Sequence, residues 1–153
     1  MGEGQGRDRR ESSAWRDDAM AAFPAPDLEV THLLVVADLD RARTWYRDVL
    51  GATVTGEYGG TSVVLRLGQA WLLVVTGGGP TDDKPDVTLA PPADPRLRDQ
   101  LFTMRVADCQ AAYDALRGRG AEFLTPPVVQ GPETRCFFRD PDGHRFEISE
   151  YRA

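Results

Sequence analysis

The stretch RCFFRDPDGHRFEISEY, residues 135–151, reads as two strands folded back on a Pro141-Asp142-Gly143 turn. Proline pre-sets the first turn angle, and glycine accepts the left-handed position that closes a three-residue loop. Counting outward pairs Asp140 with His144, Arg139 with Arg145, Phe138 with Phe146, Phe137 with Glu147 and Cys136 with Ile148. Side chains alternate between faces along a strand, so Cys136, Phe138, Phe146 and Ile148 share one uniformly apolar face. Arg135, Phe137, Arg139, Arg145, Glu147 and Ser149 share the other. A glutamate therefore stands mid-strand on the face turned away from the core, and its purpose is the question the sequence poses.

Upstream, the chain repeats itself. VTHLLVVADLDRARTWYRDVLGATV from Val30 and LFTMRVADCQAAYDALRGRGAEFL from Leu101 share one order: an alternating apolar segment, Val-Ala-Asp, an amphipathic stretch, Gly-Ala and a β-rich run. Asp38 and Asp108 stand where an N-cap carboxylate accepts the free N–H groups of a first helical turn. Leu39, Ala42, Trp45, Tyr46 and Leu50 follow at helical spacing, as do Ala112, Tyr113 and Leu116; we read Trp45 and Tyr46 as core. Gly51 and Gly120 are placed to end the helices in the left-handed conformation.

Three β-rich runs follow each helix: ATVTGEY, TSVVLRLG and AWLLVVTG, then AEFLTPPVV, TRCFFRD and HRFEISEY. The pattern is β-α-β-β-β written twice, an α+β fold. It predicts a single domain over 29–153, with module 1 at 29–76, a Gly/Pro-rich linker at 77–98 and module 2 at 99–152. The linker's triple glycine lacks the Lys-Ser/Thr and the following helix of a phosphate loop. Residues 1–28 are read as a disordered leader, since they carry charge but no apolar core of a secretory signal; Met20 is an alternative natural start.

Composition narrows the function classes. The 153 residues, 41% hydrophobic and 27% charged, are those of a soluble globular protein, read as cytoplasmic. No apolar run approaches the ~20 residues of a membrane helix. A net charge of −6 without a Lys/Arg-rich tract argues against a nucleic-acid partner. Cys109 and Cys136, remote in sequence and outside any motif, read as buried small hydrophobes in a reducing compartment, with a redox pair as the alternative. With only two histidines, no Ser-His-Asp or Cys-His arrangement is supported.

A duplicated βαβββ unit with VADLDRARTWYRDVLG in front and RDPDGHRFEI behind resembles the vicinal oxygen chelate superfamily. That group holds glyoxalase I, extradiol dioxygenases, fosfomycin-resistance enzymes and bleomycin-resistance binding proteins. The resemblance spans about residues 29–151. It implies two modules forming an open, curled eight-stranded mixed sheet, helices on the convex face, a ligand on the concave face and, commonly, a homodimer. In the group's metal enzymes a C-terminal ligand glutamate stands where Glu147 stands here. Their other ligands come from the first strand of each unit and, in glyoxalase I, from the strand before the linker. Those positions carry Thr31, Leu101 and Leu73, none of them His, Glu or Asp.

Catalytic divalent cations are held by three or more protein ligands, so the residues imply no metal cofactor. A divalent metal on Glu147 with non-standard ligands is the alternative. His32, one residue from the first ligand position, points to the opposite face with Val30, Leu34 and Val36 and reads as a core histidine. His144, at the turn, reads as solvent-exposed.

Alternation lines the concave pocket with Thr31, Leu33 and Val35, with Trp71, Leu73 and Val75, and with Leu101, Thr103 and Arg105. Arg135 and Phe137 stand beside Glu147. Apolar and aromatic walls with a few convergent polar groups suit a small organic molecule, on which Trp71 could stack if it is not simply core. Three roles stay open for Glu147: an ion pair with Arg135, Arg145 or Arg105, a hydrogen-bond acceptor for a ligand amine or hydroxyl, or a general base or acid. The implied function is binding of a small organic molecule in resistance or specialised metabolism. If the protein is an enzyme, Glu147 is the base of a lyase- or isomerase-type proton transfer. A metal-dependent glyoxalase-type lyase or dioxygenase is the alternative.

Overall fold

A computed structural model of the chain describes residues 23–153. The chain divides into Met1–Val30 and Thr31–Ala153. The leader expected at 1–28 lies, up to residue 22, outside the described residues, and residues 23–30 hold no helix or strand.

Thr31–Ala153 contains β1 (Thr31–Val35), α1 (Leu39–Asp48), β2 (Thr53–Tyr58), β3 (Ser62–Leu67) and β4 (Ala70–Val75), then β5 (Phe102–Arg105) and α2 (Cys109–Gly118). It closes with β6 (Glu122–Phe123), β7 (Val128–Gln130), β8 (Glu133–Arg139) and β9 (Arg145–Tyr151). This is the α+β order expected, a βαβββ unit followed by a second that carries one extra short strand. The strands are hydrogen-bonded as two open mixed sheets, of four and five strands. The first runs β1-β4-β3-β2; the second runs β5-β9-β8-β6, with β7 also on β8. In each, the strand before the helix lies parallel to the last strand of its unit. The ninth strand arises because AEFLTPPVV, expected as one run, breaks at Pro126-Pro127. Neither proline has an N–H to give the ladder, so β6 and β7 pair separately along the same edge of β8.

Both helices start as read. Asp38 accepts from the Arg41 N–H and Asp108 from the Ala111 N–H, each at 2.9 Å. Gly51 and Gly120 follow the helices at φ +72° and +103°, angles that glycine adopts without a Cβ penalty. No described helix is long and apolar enough to cross a membrane.

The hairpin register is that counted from the turn, from Arg139–Arg145 down to Cys136–Ile148, and it continues to Arg135–Ser149 and Glu133–Tyr151. Cys136, Phe138, Phe146 and Ile148 are at most 1% exposed and join the core beneath the helices. Phe146 stacks between Phe102 and Phe138, with ring centroids 4.7 and 5.1 Å away. Full burial of such side chains is worth on the order of 2–3 kcal/mol each. Cys109 and Cys136 are buried free thiols with sulfurs 3.8 Å apart, neighbours in space despite their distance in sequence. Burial raises both thiol pKa values, that of Cys136 to about 12.

The DPDG turn does more than reverse the chain. The Asp140 carboxylate, 1% exposed, accepts from the N–H groups of Asp142 (2.9 Å) and His144 (2.8 Å) and from the Tyr46 hydroxyl (2.7 Å). Asp142 accepts from the Ala37 N–H at 2.8 Å and from Arg41 at 3.1 Å. His144, expected in solvent, is half-buried and donates from Nε2 to the Val35 carbonyl at 2.7 Å. The expectation fails because the turn docks on the β1–α1 junction of the other module, so the imidazole meets a carbonyl instead of water.

Candidate functional site

Residues paired across neighbouring strands project to the same face, so register alone builds the site. On the second sheet one row is Thr103, Glu147 and Phe137, and the next is Arg105, Ser149 and Arg135. Glu147 is half-buried. The ion pair considered for it does not form among the described residues: two of the three candidate arginines turn to another carboxylate, and the third meets only a backbone carbonyl. Arg105 and Arg135 both reach Glu133, at 3.4 and 3.9 Å, since Glu133 sits at the start of β8 one row beyond them. Arg145 donates to the Pro95 carbonyl at 3.2 Å. Arg139, on the same face, grips Glu122 at 2.7 and 2.9 Å. Glu147 is left without an ion pair or a side-chain hydrogen bond among the described residues. Next to it along β9, Ser149 is fully buried and its hydroxyl has no hydrogen-bond partner among the described residues. Ser149 was legible as a face residue but not as a candidate. The signal was its position, two residues along the strand from Glu147.

On the first sheet Thr31 pairs with Trp71, Leu33 with Leu73 and Val35 with Val75. Leu33 is 41% exposed, unusual for a leucine at mid-strand. Leu33, Leu73 and Val75 line a cavity of about 420 Å³ whose other wall is the linker, through Thr81, Lys84 and Leu89. The linker is held by reciprocal backbone hydrogen bonds between Gly78 and Leu89 (3.0 and 2.9 Å). Trp71 is half-buried beneath the Arg66 guanidinium, 4.4 Å from the ring centroid, with its indole N–H buried and unpartnered among the described residues.

The candidates thus fall into two groups. Thr31, Leu33, Trp71 and Leu73 share the first sheet. Thr103, Arg105, Arg135, Phe137 and Glu147 share the second, with Leu101 exposed just ahead of β5. Thr103 also lines a cavity of about 340 Å³ with Leu72, Phe102 and Phe146. Neither cavity is lined by residues of both groups.

A metal centre of the resembled type would need ligands beside Glu147. Its cross-strand neighbours are Thr103 and Phe137, and no three His, Cys, Asp or Glu side chains gather among the described residues. These residues do not fit a catalytic divalent cation. His32 packs edge-on against Phe102, centroids 4.4 Å apart, and is half-buried, while Val30, expected on its face, is exposed. Burial, and secondarily the charge of His144, lower the His32 pKa.

Residues 29–148 match the family model described as the Glyoxalase/Bleomycin resistance protein/Dioxygenase superfamily. Among solved structures, the chain is similar to a glyoxalase/bleomycin resistance protein/dioxygenase from Nocardioides. That match has a TM-score of 0.67 and 19% identity, covering 92% of this chain and 93% of the other. It is also similar to TioX from Micromonospora sp. ML1 (TM-score 0.64, 19% identity, 81% and 98% covered). A lactoylglutathione lyase from Agrobacterium tumefaciens matches with TM-score 0.59 and 21% identity over 82% and 95% of the two chains. At these identities the likeness is one of fold. No curated protein matches the chain.

Proposed function

Because the chain belongs to the glyoxalase/bleomycin resistance protein/dioxygenase superfamily, we propose that it binds a small organic molecule against the open sheet faces, without a divalent metal and with Glu147 as polar anchor. What carries this reading is the state of Glu147. It is a half-buried carboxylate that pairs with none of its neighbouring arginines among the described residues, beside a buried hydroxyl that likewise lacks a partner there. A half-buried charge without protein partners is costly, and a ligand amine or hydroxyl donating to it offsets that cost. Phe137 beside it, and Leu33, Leu73 and Trp71 on the other sheet, supply apolar and aromatic surface for the rest of the molecule. Sequestration, as in resistance, needs only these contacts. Turnover needs one thing more: Glu147 taking a proton from a carbon next to a carbonyl, or from a hydroxyl, and returning it. The natural setting is resistance or specialised metabolism.

The test is a thermal-shift screen of amine- and hydroxyl-bearing small molecules on the purified full chain, with and without EDTA. Hits are then titrated calorimetrically against Glu147→Gln. A ligand of the folded state raises the melting temperature in a saturable way, and EDTA leaves the shift intact. A lost charged hydrogen bond of about 1.5–3 kcal/mol weakens Glu147→Gln binding by at least about tenfold. Shifts that appear only with added Zn, Mn, Ni or Fe, and vanish with EDTA, reject this reading in favour of the metal-dependent lyase or dioxygenase.

A further inference from the structure

A third cavity, of about 380 Å³, lies between β1, the linker and the β8–β9 hairpin, and Glu147 does not line it. Its walls include His32, Leu89, Arg98, Phe102, His144 and Arg145. Arg145 is 9% exposed, yet its guanidinium meets only the Pro95 carbonyl, a neutral acceptor. Directly across the ladder stands Arg139, a like charge already neutralised by Glu122. Arg98 donates to the Asp94 backbone carbonyl at 2.5 Å, while its Nε is buried without a partner. Neither Arg98 nor Arg145 has an ion pair among the described residues. Asp99, the one carboxylate on the cavity wall, is exposed and pairs with neither.

Two guanidiniums are therefore drawn into one cavity, both short of counter-charge among the described residues, in a chain whose net charge is −6. Burying a cation without an anion is costly, and like charges opposed across a ladder add to the cost. Burial lowers the Arg145 pKa, and the charges of Arg139 and Arg98 lower it further, which is the electrostatic mark of a group awaiting an anion. The planar fork of a guanidinium matches the two oxygens of a carboxylate or phosphate.

We propose that this cavity binds the oxyanion of a small molecule, a carboxylate or a phosphate group, between Arg98 and Arg145. The apolar wall of Leu89, Ala90 and Phe102 takes the organic part. The inference stands apart from the role of Glu147 and is tested without the organic ligand of that site.

Isothermal titration of the full chain with inorganic phosphate, and separately with benzoate, at matched ionic strength and millimolar ligand keeps general salt effects small. Saturable binding of one or both, weakened at least about tenfold in Arg98→Gln and in Arg145→Gln, supports the site. Preference for phosphate or for benzoate then assigns the oxyanion. Arg98 lies in the linker, outside every helix and strand, so Arg98→Gln tests the site even if Arg145→Gln fails to fold. Absence of saturable binding by both anions, or equal affinity in wild type and Arg98→Gln, overturns the proposal.

Discussion

Tyr46→Phe removes one oxygen atom from one of the contacts that tie the two modules together. The Tyr46 hydroxyl, on a fully buried side chain, donates to Asp140 Oδ2 at 2.7 Å, while Asp140 Oδ1 is occupied by the Asp142 and His144 N–H groups. The substitution leaves Oδ2 of a 1%-exposed carboxylate without that donor, and phenylalanine fills nearly the same space. A hydrogen bond to a charged group contributes about 1.5–3 kcal/mol, so the expected loss is about 2 kcal/mol. For a folded unit of this size that lowers the melting temperature by roughly 6–10 °C. Burial holds the Asp140 pKa above the ordinary carboxylate value. The folded state thus keeps the proton more tightly than the unfolded state, and this group's contribution becomes less favourable as pH rises through the folded pKa. Below that pKa Asp140 is neutral, so the penalty of Tyr46→Phe should shrink in acid. Urea denaturation of wild type, Tyr46→Phe, Asp140→Asn and the double variant, near neutrality and in mild acid, measures both effects. The two sites should be non-additive by about 1–2 kcal/mol. A Tyr46→Phe variant within about 0.5 kcal/mol of wild type at neutral pH, or one whose loss ignores pH, refutes the reasoning.

The two thiols should resist alkylation in the native protein. With the Cys136 pKa at about 12 and both sulfurs buried, thiolate is scarce, and labelling should track global unfolding; rapid reaction with a thiol reagent under native conditions contradicts this. The lowered His32 pKa means the unfolded chain takes its proton first, so stability present above the ordinary value of 6.5 is lost as pH falls through the folded pKa. His32→Phe should flatten that part of the stability–pH curve, and an unchanged slope shows that His32 is not its source. Gly77 has φ +80°, and a Cβ there would meet the Leu89 carbonyl oxygen and lie 2.7 Å from Val35 Cγ1, so Gly77→Ala should cost more than about 1 kcal/mol by chemical denaturation. Wild-type stability in that variant means Gly77 is not packed against Leu89 and Val35.

The hairpin register was legible because a Pro-Asp-Gly turn closes in few ways and strand alternation then assigns each face. The helix ends were legible because an aspartate cap and a terminal glycine act locally. The break between β6 and β7 was written in Pro126-Pro127, but the surrounding apolar residues suggested one continuous strand. What stayed hidden depends on contacts made late in the chain's path. His144 finds the Val35 carbonyl across 109 residues, which no local pattern signals. Glu133 takes Arg105 and Arg135 away from Glu147 because long side chains choose partners by reach as well as by face. The cavity of Arg98 and Arg145 needs the linker, whose course its Gly/Pro-rich composition does not specify.

The most direct test of the central reading is the metal content of full-length protein purified without chelators, measured alongside Glu147→Ala. The side chains around Glu147 predict far less than one Zn, Ni, Mn or Fe ion per chain in both proteins. Close to one ion per wild-type chain, absent from Glu147→Ala, contradicts it.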